Sequence, residues 1–336
     1  MRVLLYSDDK GQFLAPELLY GLKEKLRKNV SVYKPKMAGA GGNGSGGIQE
    51  TMDDFDAIII HYTAFKDKDF EYVLNRKTST TKIFLDHFDD FFVRRIYWHP
   101  EISYYLKREL YRNAPSTAYS IQWWARYTYE LLFEMRQSRD RTLLSKWNMP
   151  AGIAVRGSYR KLKPYQLTVV PECTRTPRKR VYDVSFLGHL TSPDRARYIR
   201  ALGRISTELG INCLLKASRG GPNPVGKEEY VRTLLSSKAG LSMKGVGYDS
   251  VRYWEIPCYG SMLLSQRLPI QIPNDFVEGE SALYFDRDDE LKRKIERYII
   301  KSEEWKEIAR NGQRHFFRNH TPAKRAESVL RLVRRR

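Results

Sequence analysis

The chain of 336 residues has few cysteines and no long apolar run. Its three cysteines, Cys173, Cys213 and Cys258, form no C-x-x-C pair, which excludes a disulfide-rich scaffold and favours a reducing compartment. Apolar runs such as residues 57–60 are far shorter than the roughly 18 residues that a membrane-spanning helix needs. Residues 1–8 turn polar without a small-residue cleavage site, so we expect no signal peptide and a cytoplasmic protein.

Acidic residues are in deficit. The sequence contains 59 lysines and arginines against 39 aspartates and glutamates, a formal net charge of +20. This excess indicates an anionic partner, which is a nucleic acid, the anionic face of a membrane contacted peripherally, or a phosphorylated small molecule. A content of 41% hydrophobic and 12% aromatic residues excludes wholesale disorder. Because one hydrophobic core stops growing at roughly 250–300 residues, the length predicts two domains.

Two stretches of the chain alternate between short apolar runs and helix-like patterns. The first stretch has a helix-like pattern at 14–26 and strand-like runs at 3–6, 30–33, 57–60 and 82–85. The second begins with a strand-like run at 182–187 and continues to the end of the chain. Such alternation predicts parallel sheets covered by helices on both faces. We therefore expect an α/β protein with two doubly wound, Rossmann-like domains facing a central cleft.

Residues 91–180 are strongly basic and rich in aromatic side chains. They contain 18 lysines and arginines against six acidic residues, an excess of 12 positive charges. Residues 101–112 and 125–136 are predicted to be helical. The aromatic residues fit two interpretations, either a core beneath a solvated basic face or the rim of a basic surface that binds the acceptor of a reaction.

A glycine-rich segment occupies residues 38–47. Its composition is that of a flexible linker. It is not predicted to be a phosphate-binding loop, because no strand leads directly into it and no helix pattern starts from its glycines. Two interpretations stay open: a natural loop over an acceptor site, or an engineered loop replacement.

Residues 241–265 contain the pattern that most strongly indicates a ligand site. A strand-like run ends in a loop with Gly245 and Gly247, and Asp249 or Ser250 can cap the helix that follows. The unpaired N–H groups and positive dipole at the start of a helix favour anions. The pattern therefore predicts an anion site at this turn.

Two side chains of that helix extend the prediction. Arg252, in the first turn, is a planar donor suited to phosphate, and Glu255, one turn later, can accept from two hydroxyls of a ribose. Pro257 keeps the helix short or kinked, and Gly260 ends it. The spacing describes a nucleoside diphosphate lying across a helix N-terminus. It equally describes an ordinary capped helix with a surface Arg–Glu pair.

This segment resembles the nucleotide-binding segment of GT-B glycosyltransferases, specifically of the CgeB-like "glycosyl transferases group 1" type. In that family a strand and a glycine loop lead into an Arg-x-x-Glu helix, followed by glycine and a hydrophobic strand. The similarity covers about residues 181–330, and it continues through 182–188, 273–276, 284–286 and 308–312.

The resemblance implies a fold, a donor and a division of the chain. It implies that residues 181–320 form a domain that binds a nucleoside-diphosphate sugar, above all a UDP-sugar. Residues 1–170 would form the acceptor domain, joined by a last helix at 321–336 that crosses back to it.

The chain departs from the family pattern at one position that concerns the mechanism, because many retaining relatives carry glutamate where this chain has Gly247. The chain is therefore predicted to invert the anomeric centre.

A more distant likeness is to phage DNA β-glucosyltransferases, which have a Leu-Arg-Val-Trp-Glu run similar to residues 251–255. That family implies diphosphate binding by Arg252 and ribose binding by Glu255. It also has a diphosphate-binding arginine after the glycine that ends the first strand of its second domain. Arg195 follows Gly188 in a similar place.

The same likeness implies Asp86 as the catalytic base, because residues 84–86 are similar to the family's hydrophobic run ending in aspartate. Inverting transfer needs a group that takes the proton of the acceptor hydroxyl as its oxygen attacks. Other candidates stand at the predicted strand ends: His87, Asp89, Asp90, Asp8, Asp9 and His61.

We predict that the reaction needs no metal and no cofactor. No D-x-D motif stands at the end of a strand in a nucleotide-binding setting, and Arg195, Arg252 and Lys216 can supply positive charge to the departing diphosphate. The predicted nucleotide-sugar site consists of Gly188, Arg195, Lys216, Ser250, Arg252 and Glu255.

The function predicted from these patterns is transfer of a sugar from a nucleoside-diphosphate sugar to a hydroxyl of a glycan or glycoconjugate. One alternative is a glucosyltransferase acting on modified DNA, which the basic segment at 91–180 favours. A second alternative is a catalytically inactive protein that keeps the GT-B shape and binds sugar nucleotides or glycans.

Overall fold

The chain separates into two compact units in a computed structural model that describes residues 1–7, 14–34, 52–67, 69–137, 150–155, 160–169, 179–219 and 225–335. Unit 1 comprises Met1–Gln166, Ile270–Ile272 and Arg325–Arg336, and unit 2 comprises Leu167–Pro269 and Pro273–Lys324. Several features singled out in the sequence lie outside the described residues: Asp8, Asp9, Cys173 and the glycine-rich segment 38–47.

Unit 1 is built on a six-stranded parallel sheet. Its elements are β1 (Val3–Tyr6), α1 (Leu14–Leu26), β2 (Val30–Tyr33), β3 (Ala57–His61), α2 (Phe70–Asn75), β4 (Thr81–Asp86), β5 (Phe92–Arg94), β6 (Ile102–Lys107), α3 (Thr117–Gln137), β7 (Pro150–Ile153) and β8 (Leu162–Pro164). The order across the sheet is β2-β1-β3-β4-β6-β8, and β5 pairs with β7 separately. Every residue of β1, β3 and β4 is buried, as expected for strands covered on both faces.

One predicted element of unit 1 is wrong. Residues 101–112, predicted as a helix, contain β6 instead. β6 pairs in parallel with β4 on one side and with β8 on the other. Its Ile-Ser-Tyr-Tyr-Leu-Lys sequence combines a β-branched residue with aromatic residues, which fit a pleated surface between two neighbours. The second predicted helix of this region, at 125–136, is confirmed within α3.

The aromatic residues of this basic region divide between core and surface. The buried ones are Tyr97, Tyr105, Tyr111, Tyr119 and Trp123, and the exposed ones are Trp98, Trp124 and Tyr129. The core interpretation therefore holds for the buried residues, and the acceptor-surface interpretation stays a prediction for the exposed ones.

Unit 2 is built on a five-stranded sheet in which all neighbouring strands are parallel. Its elements are β9 (Tyr182–His189), α4 (Pro193–Leu209), β10 (Cys213–Ser218), α5 (Lys227–Leu235), β11 (Ser237–Ser242), α6 (Val251–Cys258), β12 (Met262–Gln266), β13 (Leu283–Phe285), α7 (Asp288–Ile295), a π-helical turn (Glu296–Ile300) and α8 (Glu304–Asn319). The order across the sheet is β10-β9-β11-β12-β13.

The local sequence explains the start of α4 and the end of α6. The Ser192 side chain accepts from the Arg195 N–H at 3.2 Å and caps α4, and Pro193 occupies its first position. α6 is eight residues long and contains Pro257, and Gly260 follows it with φ +75°, as the sequence predicts. Both helices begin just after the carboxyl end of a strand, which places their first turns at one edge of the sheet.

The last helix, α9 (Pro322–Arg334), begins in unit 2, and its residues from Arg325 onward belong to unit 1. Glu327 of α9 lies 3.9 Å from the Lys25 Nζ of α1. Among the described helices, none combines the length and the apolar composition that crossing a membrane requires.

Candidate functional site

Two arginines of unit 2 converge on one aromatic ring. Arg252 extends from the first turn of α6, with its guanidinium carbon 4.8 Å from the centre of the Phe186 ring. Arg195 extends from the first turn of α4, with its guanidinium carbon 5.8 Å from the same centre. Phe186 belongs to β9, so both cations lie towards the carboxyl edge of the sheet, where doubly wound units bind ligands.

Hydrogen bonds to oxygens of the surrounding loops hold both guanidinium groups. The Arg252 Nε donates to the carbonyl of Leu187 at 2.8 Å. Arg195 donates through Nη1 and Nη2 to three oxygens at 2.8–3.0 Å: the His189 carbonyl, the Thr191 hydroxyl and the Met243 carbonyl. The two side chains are therefore preorganised.

The two guanidinium groups place two positive charges close together. Among the residues that the structure describes, neither guanidinium forms an ion pair with a carboxylate. Burial and the neighbouring charge of Arg252 lower the pKa of Arg195 to about 9. An anion bound by both arginines would compensate this repulsion, and guanidinium groups bind phosphate oxygens in a bidentate manner.

Glycine is required beside this pair. Gly188 has φ +148°, and a Cβ built on it would overlap the Arg252 guanidinium. A Cβ built on Gly245 would lie 2.9 Å from Arg195 Nη2. The two glycines therefore leave the space that the arginine side chains occupy.

Glu255 lies one turn after Arg252, and a tyrosine fixes its carboxylate. The Tyr230 hydroxyl of α5 donates to Glu255 Oε2 at 2.6 Å. Burial raises the pKa of Glu255, while the Tyr230 hydrogen bond and the Arg252 charge oppose the rise. Because Oε2 is held in this way, the Glu255 carboxylate is oriented to accept hydrogen bonds from hydroxyl groups. No pattern in the sequence indicates Tyr230, because it lies 25 positions before Glu255 on another helix.

If this site binds UDP with the ribose hydroxyls at Glu255, as the resemblance implies, replacing Tyr230 with phenylalanine weakens UDP binding about fivefold, since one hydrogen bond contributes about 1 kcal/mol. Calorimetric titration should show a much smaller loss for 2′,3′-dideoxy-UDP, which lacks the hydroxyls assigned to Glu255. Tyr198→Phe is the matched control, because its hydroxyl donates to the Asp286 carbonyl at 2.6 Å. Equal losses for both nucleotides would show that Tyr230 has only a structural role.

The start of α6 is anchored by Asp249. This buried carboxylate accepts from the Trp254 Nε1 at 2.8 Å and from the Leu167 N–H at 2.6 Å. Ser250 occupies the N-cap position, but its side chain makes no capping hydrogen bond. The sequence left two capping residues open. The Ser250 side chain does not cap the helix, and the Asp249 carboxylate binds Trp254 and Leu167.

Lys216 lies on β10, at the edge of the sheet. Its side chain is exposed and forms an ion pair with Glu229 of α5. The structure thus brings Gly188, Arg195 and Arg252 together, with Glu255 one turn away, and it places Lys216 in a separate contact.

In unit 1, Asp86 ends β4 and is fully buried. Its Oδ1 accepts from the Phe88 N–H at 3.0 Å, and its Oδ2 accepts from Lys107 Nζ at 3.0 Å and from the Tyr105 hydroxyl. Both oxygens therefore have donors and are shielded from solvent in this structure. The geometry therefore favours a structural role for Asp86 rather than the predicted role of base.

The two neighbouring aspartates of this loop also have partners. Asp90 is buried and binds Lys107 Nζ at 3.1 Å and the Arg94 guanidinium. Asp89 forms an ion pair with Arg108. His61, the last residue of β3, lies beside His87, with ring centres 5.8 Å apart.

The described ranges contain no group of three or more His, Cys, Asp or Glu side chains arranged to hold a metal ion.

Comparisons with known proteins agree with the architecture of unit 2. Residues 195–331 match the model of the Glycosyl transferase-like family. The matched range includes Arg195, Arg252 and Glu255. A comparison with curated protein sequences gives no significant match.

Solved structures resemble the whole chain at low identity. A glycosyltransferase from Rickettsia africae is 10% identical, with 99% of this chain and 98% of that chain covered and a TM-score of 0.56. Anabaena Alr3699/HepE, solved in complex with UDP-glucose, is 10% identical, with full coverage of both chains and a TM-score of 0.54. TarM is 10% identical over 82% of this chain, with a TM-score of 0.48, and this chain spans 54% of TarM.

These similarities concern the fold. Together with the two parallel sheets, they show a GT-B fold of two Rossmann-like domains and confirm the predicted fold class.

Proposed function

We propose that this protein is a glycosyltransferase that uses a nucleoside-diphosphate sugar as donor, most simply a UDP-sugar, and a glycan or glycoconjugate hydroxyl as acceptor. The observation that carries the proposal is the pair of preorganised guanidinium groups of Arg195 and Arg252 beside Gly188. The family match over 195–331 and the UDP-glucose complex of Anabaena Alr3699/HepE support it.

Each residue of the site has a task in this proposal. Arg252 and Arg195 bind the diphosphate, and Glu255, oriented by Tyr230, accepts from the ribose hydroxyls. During transfer the acceptor oxygen forms a bond to the anomeric carbon, and the bond from that carbon to the β-phosphate oxygen breaks. The acceptor hydroxyl gives its proton to a general base, which is the role that the resemblance implies for Asp86. The arginines stabilise the negative charge that develops on the departing diphosphate.

The proposal includes inversion of the anomeric centre and independence of a metal ion. Inversion is proposed because Gly247 stands where many retaining relatives have glutamate. Metal independence is proposed because two fixed guanidinium groups supply the charge that a divalent cation would otherwise bring. Activity that persists in excess EDTA supports the second point, and activity restored only by Mg²⁺ or Mn²⁺ contradicts it.

A thermal-shift screen with UDP, GDP, ADP and UDP-glucose tests the donor assignment. A ligand at 100 times its dissociation constant stabilises the folded protein by about 2.7 kcal/mol, so binding gives a clear shift. We expect UDP and UDP-glucose to stabilise the protein. If no nucleoside diphosphate shifts the melting temperature, the proposal is wrong.

Measuring UDP release separates an enzyme from a binding protein. A transferase releases UDP slowly from UDP-sugars in water and faster with an acceptor. Stabilisation by UDP without any release would instead identify the catalytically inactive alternative. A steep loss of acceptor affinity with salt would favour the modified-DNA alternative, because binding to nucleic acid releases counterions.

A further inference from the structure

Exposed cationic side chains lie at the ends of two helices of unit 1. α1 ends at Leu26, and β2 begins at Val30. A helix that joins two parallel strands runs back along them, so α1 ends at the amino edge of the sheet, opposite to the edge where the strands end. We call this group the basic pole, and its members are Lys23, Lys25, Arg27, Lys28, Arg331, Arg334 and Arg335.

α9 brings its cations to the end of α1. Burial raises the pKa of Tyr165, and the charges of Arg325 and Glu17 act on it as well, so the first turns of α9 and α1 lie near this ring. Two residues further along α9, Glu327 lies 3.9 Å from the Lys25 Nζ. α9 therefore advances from the start of α1 towards its end.

The basic pole carries more positive charge than its acidic residues balance. Residues 23–28 and 327–335 contain the seven cations and two acidic residues, Glu24 and Glu327. Glu327 pairs with Lys25 at 3.9 Å and with Arg331 at 3.2 Å. The other five cations form no ion pair with any residue that the structure describes. The proposed function assigns them no task.

The aspartates at the same edge of the sheet belong to its other side. Residues 53, 54 and 56 precede β3, and β1 separates β3 from β2. Asp53 pairs with Arg76, and Asp56 accepts from the Arg2 N–H at 2.6 Å. These carboxylates therefore leave the charge of the basic pole uncompensated.

The side chains of the basic pole are exposed, and few contacts hold them. The Arg331 side chain is 56% exposed. Tyr20, itself 50% exposed, lies one turn before Lys23 on the same face of α1. Arg195 and Arg252 differ, because hydrogen bonds to loop oxygens hold them in place. Long cations without such contacts suit a surface of many interchangeable charges rather than one placed phosphate.

We propose that the basic pole binds the anionic face of a lipid membrane, with the amino edge of the unit 1 sheet towards the lipid. Clusters of about four to eight lysines and arginines bind anionic lipids through their charge, and tyrosine rings favour the headgroup region. This inference goes beyond the proposed function and does not depend on the donor.

A nucleic acid is the competing polyanion. Proteins bind it by placing a helix or strand in a groove or by stacking its bases on several aromatic rings. α1 and α9 together contain one aromatic residue, Tyr20, and the cations lie at the helix ends. The observations therefore favour the membrane.

Co-sedimentation of the full chain with lipid vesicles tests the proposal. At about 0.1 M NaCl we expect binding to phosphatidylcholine vesicles that contain about 30% phosphatidylserine, and no binding to phosphatidylcholine alone. Raising the salt to about 0.5 M should release the protein, because salt screens the exposed charges.

Variants of the two helices should weaken this binding separately. Each cation near an anionic membrane contributes a factor of about five to partitioning. The combination of Arg331→Ala, Arg334→Ala and Arg335→Ala should therefore weaken binding about 100-fold. Lys23→Ala with Lys28→Ala should weaken it about 25-fold by the same argument.

The matched control removes the same total charge from unit 2. It combines Arg204→Ala, Arg287→Ala and Lys301→Ala, whose side chains are 64%, 72% and 68% exposed. We expect this variant to bind the anionic vesicles like the wild type. An equal loss in the control and in the triple variant of α9 would show that only total charge matters, which overturns the basic pole as a site.

Two further outcomes overturn the proposal. One is a wild-type protein that does not bind the anionic vesicles at the lower salt concentration. The other is binding to a DNA duplex of about 20 base pairs without binding to vesicles, which would identify the basic pole as a nucleic-acid site. Neither outcome concerns UDP binding, so both leave the proposed function standing.

Discussion

Replacing Arg252 with alanine is expected to weaken UDP binding about 100-fold and to abolish detectable sugar transfer. Hydrogen bonds to charged groups contribute about 1.5–3 kcal/mol each, and a guanidinium can make two of them to one phosphate. The side chain is already held by the Leu187 carbonyl and the Phe186 ring, so its ordering costs little on binding. Calorimetric titration with UDP measures the loss.

Three comparison variants define the cause of that loss. Arg252→Lys keeps the charge but lacks the planar fork, so we expect an intermediate affinity. Gly188→Ala should approach the Arg252→Ala value, because a Cβ there overlaps the guanidinium and the φ of +148° disfavours a side chain. Arg197→Ala, which removes a half-exposed arginine from the same helix as Arg195, should bind UDP normally.

Wild-type UDP affinity in Arg252→Ala would contradict the assignment of the diphosphate site. If Gly188→Ala bound UDP normally while Arg252→Ala did not, the arginine would bind in another rotamer than the one in this structure. Neither result would change the fold assignment, which rests on the two parallel sheets and the structural comparisons.

The second half of the chain could be predicted closely from its sequence. Strand and helix limits in unit 2 follow from short apolar runs, from the Ser192 cap and from Gly210, which ends α4 with φ +63°. Three of the four pairs of consecutive strands in unit 2 are also neighbours in its sheet, so local patterns and the fold largely agree.

The region around β6 could not be predicted in this way. Residues 101–112 contain apolar and aromatic residues at spacings that also fit a helix, and periodicity alone does not separate a buried strand from a helix segment. The strand forms because β4 and β8 supply its hydrogen-bond partners from distant parts of the sequence. Such partners are invisible in a local window.

The same limit applies to the candidate site. The spacing of Arg252 and Glu255 allowed a nucleotide site, and the family resemblance implied one. The structure brings the predicted Arg195 beside Arg252. The position of Asp86 at a strand end was also predictable, but its burial was not. Burial depends on Tyr105 and Lys107 of β6, the element that the sequence misassigned.

Replacing Lys107 with methionine is expected to be strongly destabilising. Lys107 Nζ lies 3.0 Å from Asp86 Oδ2 and 3.1 Å from Asp90 Oδ1, and all three side chains are essentially inaccessible to solvent. Removing one partner of a buried ion pair costs about 3–5 kcal/mol, because the other charge stays buried without compensation. Urea unfolding of the full chain measures the loss of free energy.

The network contains two carboxylates, Asp86 and Asp90, and two cations, Lys107 and Arg94. The charge argument can therefore be tested by combining two substitutions. Lys107→Met leaves Asp86 and Asp90 with only Arg94 among the cations of this network. Adding Asp86→Asn restores the balance, so the double variant should be less destabilised than the sum of the two single variants. Asp53→Asn is the control, because its ion pair with Arg76 is exposed and contributes at most about 1 kcal/mol.

The pH dependence should agree with the same network. Burial acts to raise the pKa of Asp90, but the charges of Arg94 and Lys107 outweigh it and hold the pKa below its ordinary value. The stabilisation from Asp90 is therefore complete above that ordinary value and is lost as the pH falls below it. The destabilisation of Lys107→Met relative to the wild type should accordingly shrink as the pH falls below that value, because protonation removes the uncompensated carboxylate charge.

Asp86→Asn alone decides between the two roles of this residue. A structural carboxylate predicts a lower urea midpoint, with the UDP affinity and the transfer rate of the remaining folded protein unchanged. A catalytic base predicts the opposite pattern, a wild-type midpoint with transfer lost and UDP binding kept. The closed contacts of Asp86 with Phe88, Tyr105 and Lys107 lead us to expect the first pattern. The second pattern would mean that these contacts open when the acceptor binds.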